Sequence, residues 1–314
     1  MSLVESAAAA SDGAFDSIPV INIRDASTPE RRASLAHEIR SACINVGFFY
    51  ITGHGIPQET IDNLVAAMES YFSLPLETKM KLHHKEIGPN FKGYNPPLGS
   101  NVDPANMGDI RESFFTPDSE ELVSTENEGA MTATNVWPSE PAGFRDAFLD
   151  YFHVALGVGR LLFRLFALAL DLPETPRTTG PVSDGYVGIG AHSDFECFAM
   201  LWQQPDIQAL QILNSEKQWI NATPIPGTLV INIGDQLARW TNDIFRSTVH
   251  RATNRTGVHR YSVVLFIGSD RDVSMEAIPS CVSADRPSKY ETITAGDYLA
   301  KRLDEMYYKN MPPA

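Results

Sequence analysis

Cysteine is scarce in this chain of 314 residues: Cys43, Cys197 and Cys281 are the only three, an odd number at wide spacings. That excludes a readable disulfide framework and a thiolate zinc site, and points to a reduced, cytoplasmic setting. Basic residues are outnumbered, 25 Lys plus Arg against 39 Asp plus Glu, for a formal charge of −14. Such an excess of acid disfavours nucleic acid and anionic membrane surfaces as partners and says nothing about which small molecule might bind. The opening MSLVESAAAASDGAFDS has no basic n-region, no long apolar core and no arginine, so neither a secretory nor a transit signal is legible. We read residues 1–17 as a loose tail.

A long apolar run free of charge is also missing. Val154 to Leu172 is nearly long enough to cross a bilayer, yet carries Arg160 and Arg164 near its middle. Each would be costly in hydrocarbon, so a buried helix of a folded domain is the expectation. No internal repeat and no linker divides the rest, and a single unit of this length buries roughly three quarters of its unfolded surface. One domain is expected over 18–314, with a helical N-terminal part (18–120) and a β-rich part with the long helix (121–314).

What is present begins with two short β-rich runs, Ile18 to Ile23 and Val46 to Gly53, separated by apolar residues at helical spacing. A second amphipathic helix follows, with Pro57 near its start and Pro75 beyond its end. Lys79 to Asp118 is rich in turn formers, Glu120 to Thr134 is acidic and turn-like, and Pro138 to Leu172 carries the long helix, read as support. From Val187 the chain changes to short runs at close spacing, CFAMLWQ, IQALQIL, QWINAT, TLVINIG and YSVVLFIG, divided by turn signals. Such a series predicts a sandwich or barrel of antiparallel strands. Residues 293–308 read as a last helix capped by Thr294 or Asp297.

Two of the eight histidines keep unusual company. His192 stands two residues before Asp194 in GAHSDF, and His250 follows in STVHRATN beyond several strands. Residues two apart on a strand project to one face, so His192 and Asp194 can share an ion, with a third ligand from another strand. Two imidazoles and one carboxylate on one face of an octahedron suit non-haem Fe(II) with positions left open. Zinc competes, although its His₂-carboxylate sites usually read His-Glu-x-x-His on a helix, which is absent. A capped turn is the plain alternative for His-x-Asp. Ten residues after His250, Arg260-Tyr261-Ser262 opens a strand, which sets Arg260 and Ser262 on one side. A guanidinium fork with a neighbouring hydroxyl is a ready carboxylate anchor; a structural salt bridge to Asp or Glu is the alternative.

In order and spacing these motifs resemble the isopenicillin N synthase-like branch of the Fe(II) and 2-oxoglutarate-dependent oxygenases. The resemblance runs through IPVINI, VGFFYITGHGIP, RESFF, GIGAHSDFECFAMLWQ, IQALQIL, PIPGTLVINIGDQLARWTN, STVHRATN and RYSVVLFIG. It implies a double-stranded β-helix, or jelly roll, with iron in its open end. His192, Asp194 and His250 would be the iron ligands, and Arg260 and Ser262 would hold the distal carboxylate of 2-oxoglutarate. Asn232 and Gln236 match the strand facing the site, with Asn232 toward the cosubstrate; a turn at Gly234-Asp235 is the alternative. Tyr94, Phe114, Phe195 and Phe266 stand where members of the family line the substrate pocket, or are core. The implied reaction consumes 2-oxoglutarate and dioxygen to hydroxylate, desaturate or rearrange a small organic molecule.

One stretch departs from the pattern. Between Leu172 and His192 the chain is too short and polar for a helix exit plus the family's tyrosine-bearing strand, and Tyr186 falls in the wrong place. The barrel wall is then built differently, or the site is damaged. Two further readings follow: an iron oxidase that uses Arg260 and Ser262 for its substrate's own carboxylate, and a silent binding fold. Of the other histidines, His54 fits a turn, while His37, His83, His84 and His259 read as solvent-facing.

Overall fold

A computed structural model describes residues 14–87, 92–102, 109–116, 136–174, 190–254 and 256–309. Strand β1 (Val20–Asn22) leads to helix α1 (Pro29–Asn45), strand β2 (Phe48–Thr52) and helix α2 (Gln58–Phe72). Thr28 caps α1 by accepting from the Arg31 N–H at 3.2 Å, and Pro29 occupies the first turn, where its missing N–H costs nothing. Helix α3 (Leu76–Met80) precedes a small ribbon of β3 (Gly93–Asn95) and β4 (Ser113–Phe115). The long helix α4 (Phe144–Ala169) starts later than the sequence pattern predicts, because Gly143 lies in the left-handed region (φ 81°) and cannot continue a helix.

The second half supplies β5 (Phe198–Gln203), β6 (Leu210–Leu213), β7 (Trp219–Asn221), β8 (Leu229–Ile233), α5 (Asp235–Trp240), β9 (His250–Ala252) and β10 (Ser262–Ile267). A minor pair, β11 (Ser274–Met275) and β12 (Ile293–Thr294), precedes the C-terminal helix α6 (Ala295–Asp304), whose first turn is capped by Thr294 accepting from Asp297 N–H at 3.1 Å. A five-stranded sheet runs β1-β2-β8-β5-β10, and a three-stranded sheet runs β7-β6-β9. The two β-rich runs expected near the N-terminus are β1 and β2, and they extend the sheet built by the C-terminal strands. Register pairs Phe48 with Asn232, Ala199 with Asn232 and Gln203 with Ser262.

One face of the larger sheet packs on α1, α2 and α4 through Leu35, Ile39, Phe49, Leu162, Phe166 and Phe198, all at or near zero exposure. At ~25 cal/mol per Å² of apolar area, each such aliphatic or aromatic side chain contributes about 1.5–3 kcal/mol. Its other face meets the smaller sheet through Phe48, Tyr50, Leu210, Ile212 and Val230. Helix α4 is long and apolar enough to cross a membrane by composition; here its inward side is buried in this core. Phe15 also packs against the second cluster, and its carbonyl accepts from Asn214 Nδ2 at 3.1 Å, so ordered chain reaches into the residues read as tail. All three cysteines are free and buried. The boundary placed at 120/121, the acidic stretch up to Thr134 and most of the departing segment, Tyr186 included, lie outside the described residues.

Candidate metal centre and adjoining cavity

His192 and His250 form an isolated antiparallel bridge: His192 N–H donates to the His250 carbonyl at 2.9 Å, and His250 N–H returns at 2.8 Å. This corrects the strand-alternation reading, because Ser193 and Asp194 turn away from the bridge instead of continuing a strand. The bridge brings the imidazoles to 4.2 Å between ring centroids, and the turn returns Asp194 beneath them. Asp194 Oδ1 lies 3.4 Å from His192 Nε2 and 3.7 Å from His250 Nε2, and one ligand atom from each residue falls within 4.8 Å of the others. These separations suit three donors around one divalent ion.

Protonation is arranged to match. Nδ1 of His192 faces the Gly190 carbonyl at 2.8 Å, and Nδ1 of His250 faces the Thr248 carbonyl at 3.1 Å. A carbonyl only accepts, so each Nδ1 carries the proton and each Nε2 presents its lone pair. Burial, reinforced by His192, pushes His250 down to about 4, which keeps it neutral at pH 7. For Asp194 burial alone would raise the pKa; the opposing pull of His250, the hydrogen bond and charge of His192, and the amide of Asn232 hold it below the ordinary carboxylate value. Asn232 Nδ2 donates to Asp194 Oδ2 at 2.5 Å, engaging the oxygen that turns from the histidines. Asn232 thus touches the acid of the triad, not only the space beside it.

Next to the triad a recess of about 50 Å³ is walled by Asn232, Arg260, Ser262, Val264, Phe266 and Phe48. Register explains the convergence: Arg260 and Ser262 flank the start of β10, and Gln203 of β5 pairs with Ser262. Arg260 donates to Ser262 Oγ and to Gln203 Oε1, each at 3.4 Å, while its buried Nε has no partner. No carboxylate among the described residues pairs with Arg260, so the structural salt-bridge reading fails there. Burial pulls this guanidinium down to about 10, so it remains a cation at neutral pH. An ion held by the triad and a carboxylate held by Arg260 and Ser262 both fit what is present.

Arg260, Ser262 and Val264 also border a cavity of about 1170 Å³ that continues from the recess. Phe114 lines it as expected, together with Phe72, Phe144, Phe148 and Phe152. The last three recur every four residues on one face of α4, a spacing that identifies them, although the sequence pattern alone suggests only support for this helix. Two expected pocket residues sit elsewhere. Tyr94 is fully buried against Tyr71, its hydroxyl donating to Glu112 Oε2 at 2.6 Å, because β3 turns it inward beneath the ribbon. Phe195 packs with Leu299, Leu303 and Met306 under the Arg302 guanidinium, since the turn after Asp194 points it toward α6. Gln236 lies on α5, because β8 ends at Ile233; it contacts Cys197 and the Ala295 carbonyl, not the recess. His84 is 2% exposed rather than solvent-facing. Gln203 and Asp235 escape sequence reasoning, as a glutamine or aspartate in a strand or turn carries no motif of its own.

Residues 18–140 match the family described as non-haem dioxygenase in morphine synthesis N-terminal, and residues 172–269 match the 2OG-Fe(II) oxygenase superfamily. The chain is 34% identical to the 2-oxoglutarate-Fe(II) type oxidoreductase ppzC of Metarhizium majus (strain ARSEF 297), over 92% of this chain and 87% of that one. It is 33% identical to azadirone synthase LFS of Melia azedarach, over 90% and 91%. Among solved structures it resembles a 2OG-Fe(II) oxygenase family protein of Caulobacter crescentus, at 28% identity and a TM-score of 0.78, over 93% of this chain and 99% of that one. A full-length Neurospora crassa protein in complex with alpha-KG and 5-formyluracil superposes with a TM-score of 0.75 at 26% identity, over 91% and 95%.

Fold and site together define a mixed α and β non-haem iron oxygenase. This chain belongs to the 2OG-Fe(II) oxygenase superfamily and is an Fe(II)- and 2-oxoglutarate-dependent dioxygenase.

Proposed function

We propose that His192, Asp194 and His250 hold the Fe(II), that Arg260 and Ser262 hold the distal carboxylate of 2-oxoglutarate, and that the cavity beyond them receives a largely apolar organic substrate. The five-stranded and three-stranded sheets are, in this reading, the halves of a double-stranded β-helix. The observation that carries it is the placement of a partly buried arginine, with no carboxylate partner among the described residues, in the same recess as the cluster of His192, Asp194 and His250.

Iron, 2-oxoglutarate and dioxygen together supply an oxidant able to take hydrogen from an unactivated C–H bond, with release of succinate and carbon dioxide. The protein's part is geometric. Gly190 and Thr248 carbonyls lock the two imidazoles with Nε2 inward, and Asn232 holds one oxygen of Asp194 so that the other faces the histidines. Arg260, Ser262 and Gln203 fix where a carboxylate lies. The aromatic wall of Phe114, Phe144, Phe148 and Phe152 excludes water and holds a carbon skeleton against the recess, the near-attack placement on which the rate depends. The Neurospora crassa protein holds 5-formyluracil, a ring compound, which supports a ring-bearing substrate here.

The test is anaerobic addition of Fe(II) and 2-oxoglutarate to the purified chain. A visible charge-transfer band, lost in His192→Ala, is expected, followed in air by succinate formation that a substrate stimulates. No band and no succinate would defeat the reading; a band without succinate would favour the silent fold, and substrate oxidation without succinate the 2-oxoglutarate-independent oxidase.

A further inference from the structure

Behind the ligand-bearing turn, outside the recess, lies a partly buried acid that touches both metal-ligand segments at once. Asp235 follows Gly234 at the junction of β8 and α5. A Cβ on Gly234 would stand 2.2 Å from the Glu196 carbonyl oxygen and 3.1 Å from that of Asp194, so only glycine lets this junction press against the turn. Pressed there, the Asp235 N–H donates to the Asp194 carbonyl at 2.8 Å. Its carboxylate then reaches in two directions. Oδ2 accepts from the hydroxyl of Ser193, the residue between the two ligands, at 3.2 Å, and Oδ1 accepts from Ser247 Oγ at 2.6 Å. Ser247 precedes Thr248, whose carbonyl receives the Nδ1 proton of His250. From the far side, Tyr298 of α6 donates to Oδ2 at 2.8 Å and the Arg302 guanidinium pairs with the same oxygen. Arg302 also lies 4.2 Å over the ring of Phe195, the residue after Asp194.

We propose that Asp235 is a positioning residue for the metal centre: it sets the distance between the His192–Asp194 turn and the His250 segment, and α6 holds it in place through Tyr298 and Arg302. The inference rests on the reading that His192, Asp194 and His250 hold the ion. A residue at the start of α5 that merely completed a helix end would reach one segment; this carboxylate bridges two, each one or a few residues from a ligand. Loosening either bridge lets the donor atoms drift by fractions of an ångström, which metal affinity registers more sharply than global stability does, since the core does not depend on these hydroxyls.

The experiment uses Mn(II) as the probe and measures its affinity for the full chain by calorimetry, beside urea unfolding of the metal-free protein. Three proteins decide the matter: Asp235→Asn, the double variant Ser193→Ala with Ser247→Ala, and Ser193→Thr with Ser247→Thr. The expected result is a ten- to 100-fold loss of Mn(II) affinity in the first two and recovery to within about threefold in the threonine pair. The alanine pair should unfold at the parent's urea midpoint. Should Asp235→Asn fail to fold, the two serine variants carry the decision alone. Mn(II) affinity within twofold of the parent in the alanine pair would overturn the proposal, as would a loss the threonine pair fails to recover. If His192→Ala binds Mn(II) as tightly as the parent, the metal-site reading itself has failed and this inference falls with it.

Discussion

Replacing Arg260 by Met should move stability and cosubstrate binding in opposite directions. In the ligand-free protein the guanidinium is buried without a carboxylate, and burial has brought its pKa from the ordinary arginine value to about 10. The difference amounts to about 3 kcal/mol by linkage. The sign follows from the base being charged in both states at neutral pH: the folded state carries the whole cost below pH 10, and the cost declines only as pH rises above that value. The long hydrogen bonds to Ser262 and Gln203, both 3.4 Å, return about 1 kcal/mol. Arg260→Met, close in length and uncharged, should therefore raise the metal-free, ligand-free stability by about 1–2 kcal/mol, read as a higher urea midpoint at unchanged slope. The same change removes the fork for a carboxylate, a loss of about 3–5 kcal/mol, so the KM for 2-oxoglutarate should rise by about two to four orders of magnitude. A variant that unfolds more easily than the parent while keeping its 2-oxoglutarate KM within about threefold would show that Arg260 is an ordinary structural residue and refute the reasoning.

Asn232→Ala should weaken divalent-metal affinity about ten- to 100-fold, measured by Mn(II) titration, because Asp194 Oδ2 loses its amide donor inside the protein. His84, pressed on the Tyr307 ring, is lowered to about 4 by burial, with His83 and Lys85 adding to it. The unfolded chain protonates this imidazole first as pH falls below about 6.5, so stability should drop by about 3 kcal/mol between pH 6.5 and 4, and urea midpoints for His84→Gln should fall less over that window. On α4 two glycines should answer alanine differently. Gly157 faces open space and should gain up to about 1 kcal/mol, whereas a Cβ on Gly159 would lie 2.3 Å from Ile267 Cδ1 and should cost about 1–2 kcal/mol net by urea unfolding.

The readable parts of the sequence are those with short-range grammar. Short apolar, β-rich runs locate β2, β5, β8 and β10, which lie in a sheet covered on both faces, and helical apolar spacing locates the stripe of α1. His-x-Asp with a distant His, and Arg-x-Ser at a strand start, are legible because few residue types can bind a cation or fork a carboxylate. The misplaced residues share a different trait. Tyr94, Phe195 and His84 are rings that could face a cavity or a core with equal local logic, and β3, the turn after Asp194 and the contact with Tyr307 decided which.

The chain alone determined which donor types exist, in what order, and where the short apolar runs that become strands lie. Whether Arg260 finds a carboxylate, whether Asn232 reaches Asp194 across β8, and whether Asp235 ties both ligand segments to α6 were decided only by the folded arrangement. The reason is that a charge's cost and a hydrogen bond's partner depend on what surrounds them in space, and those surroundings come from segments dozens of residues apart, which no local pattern encodes.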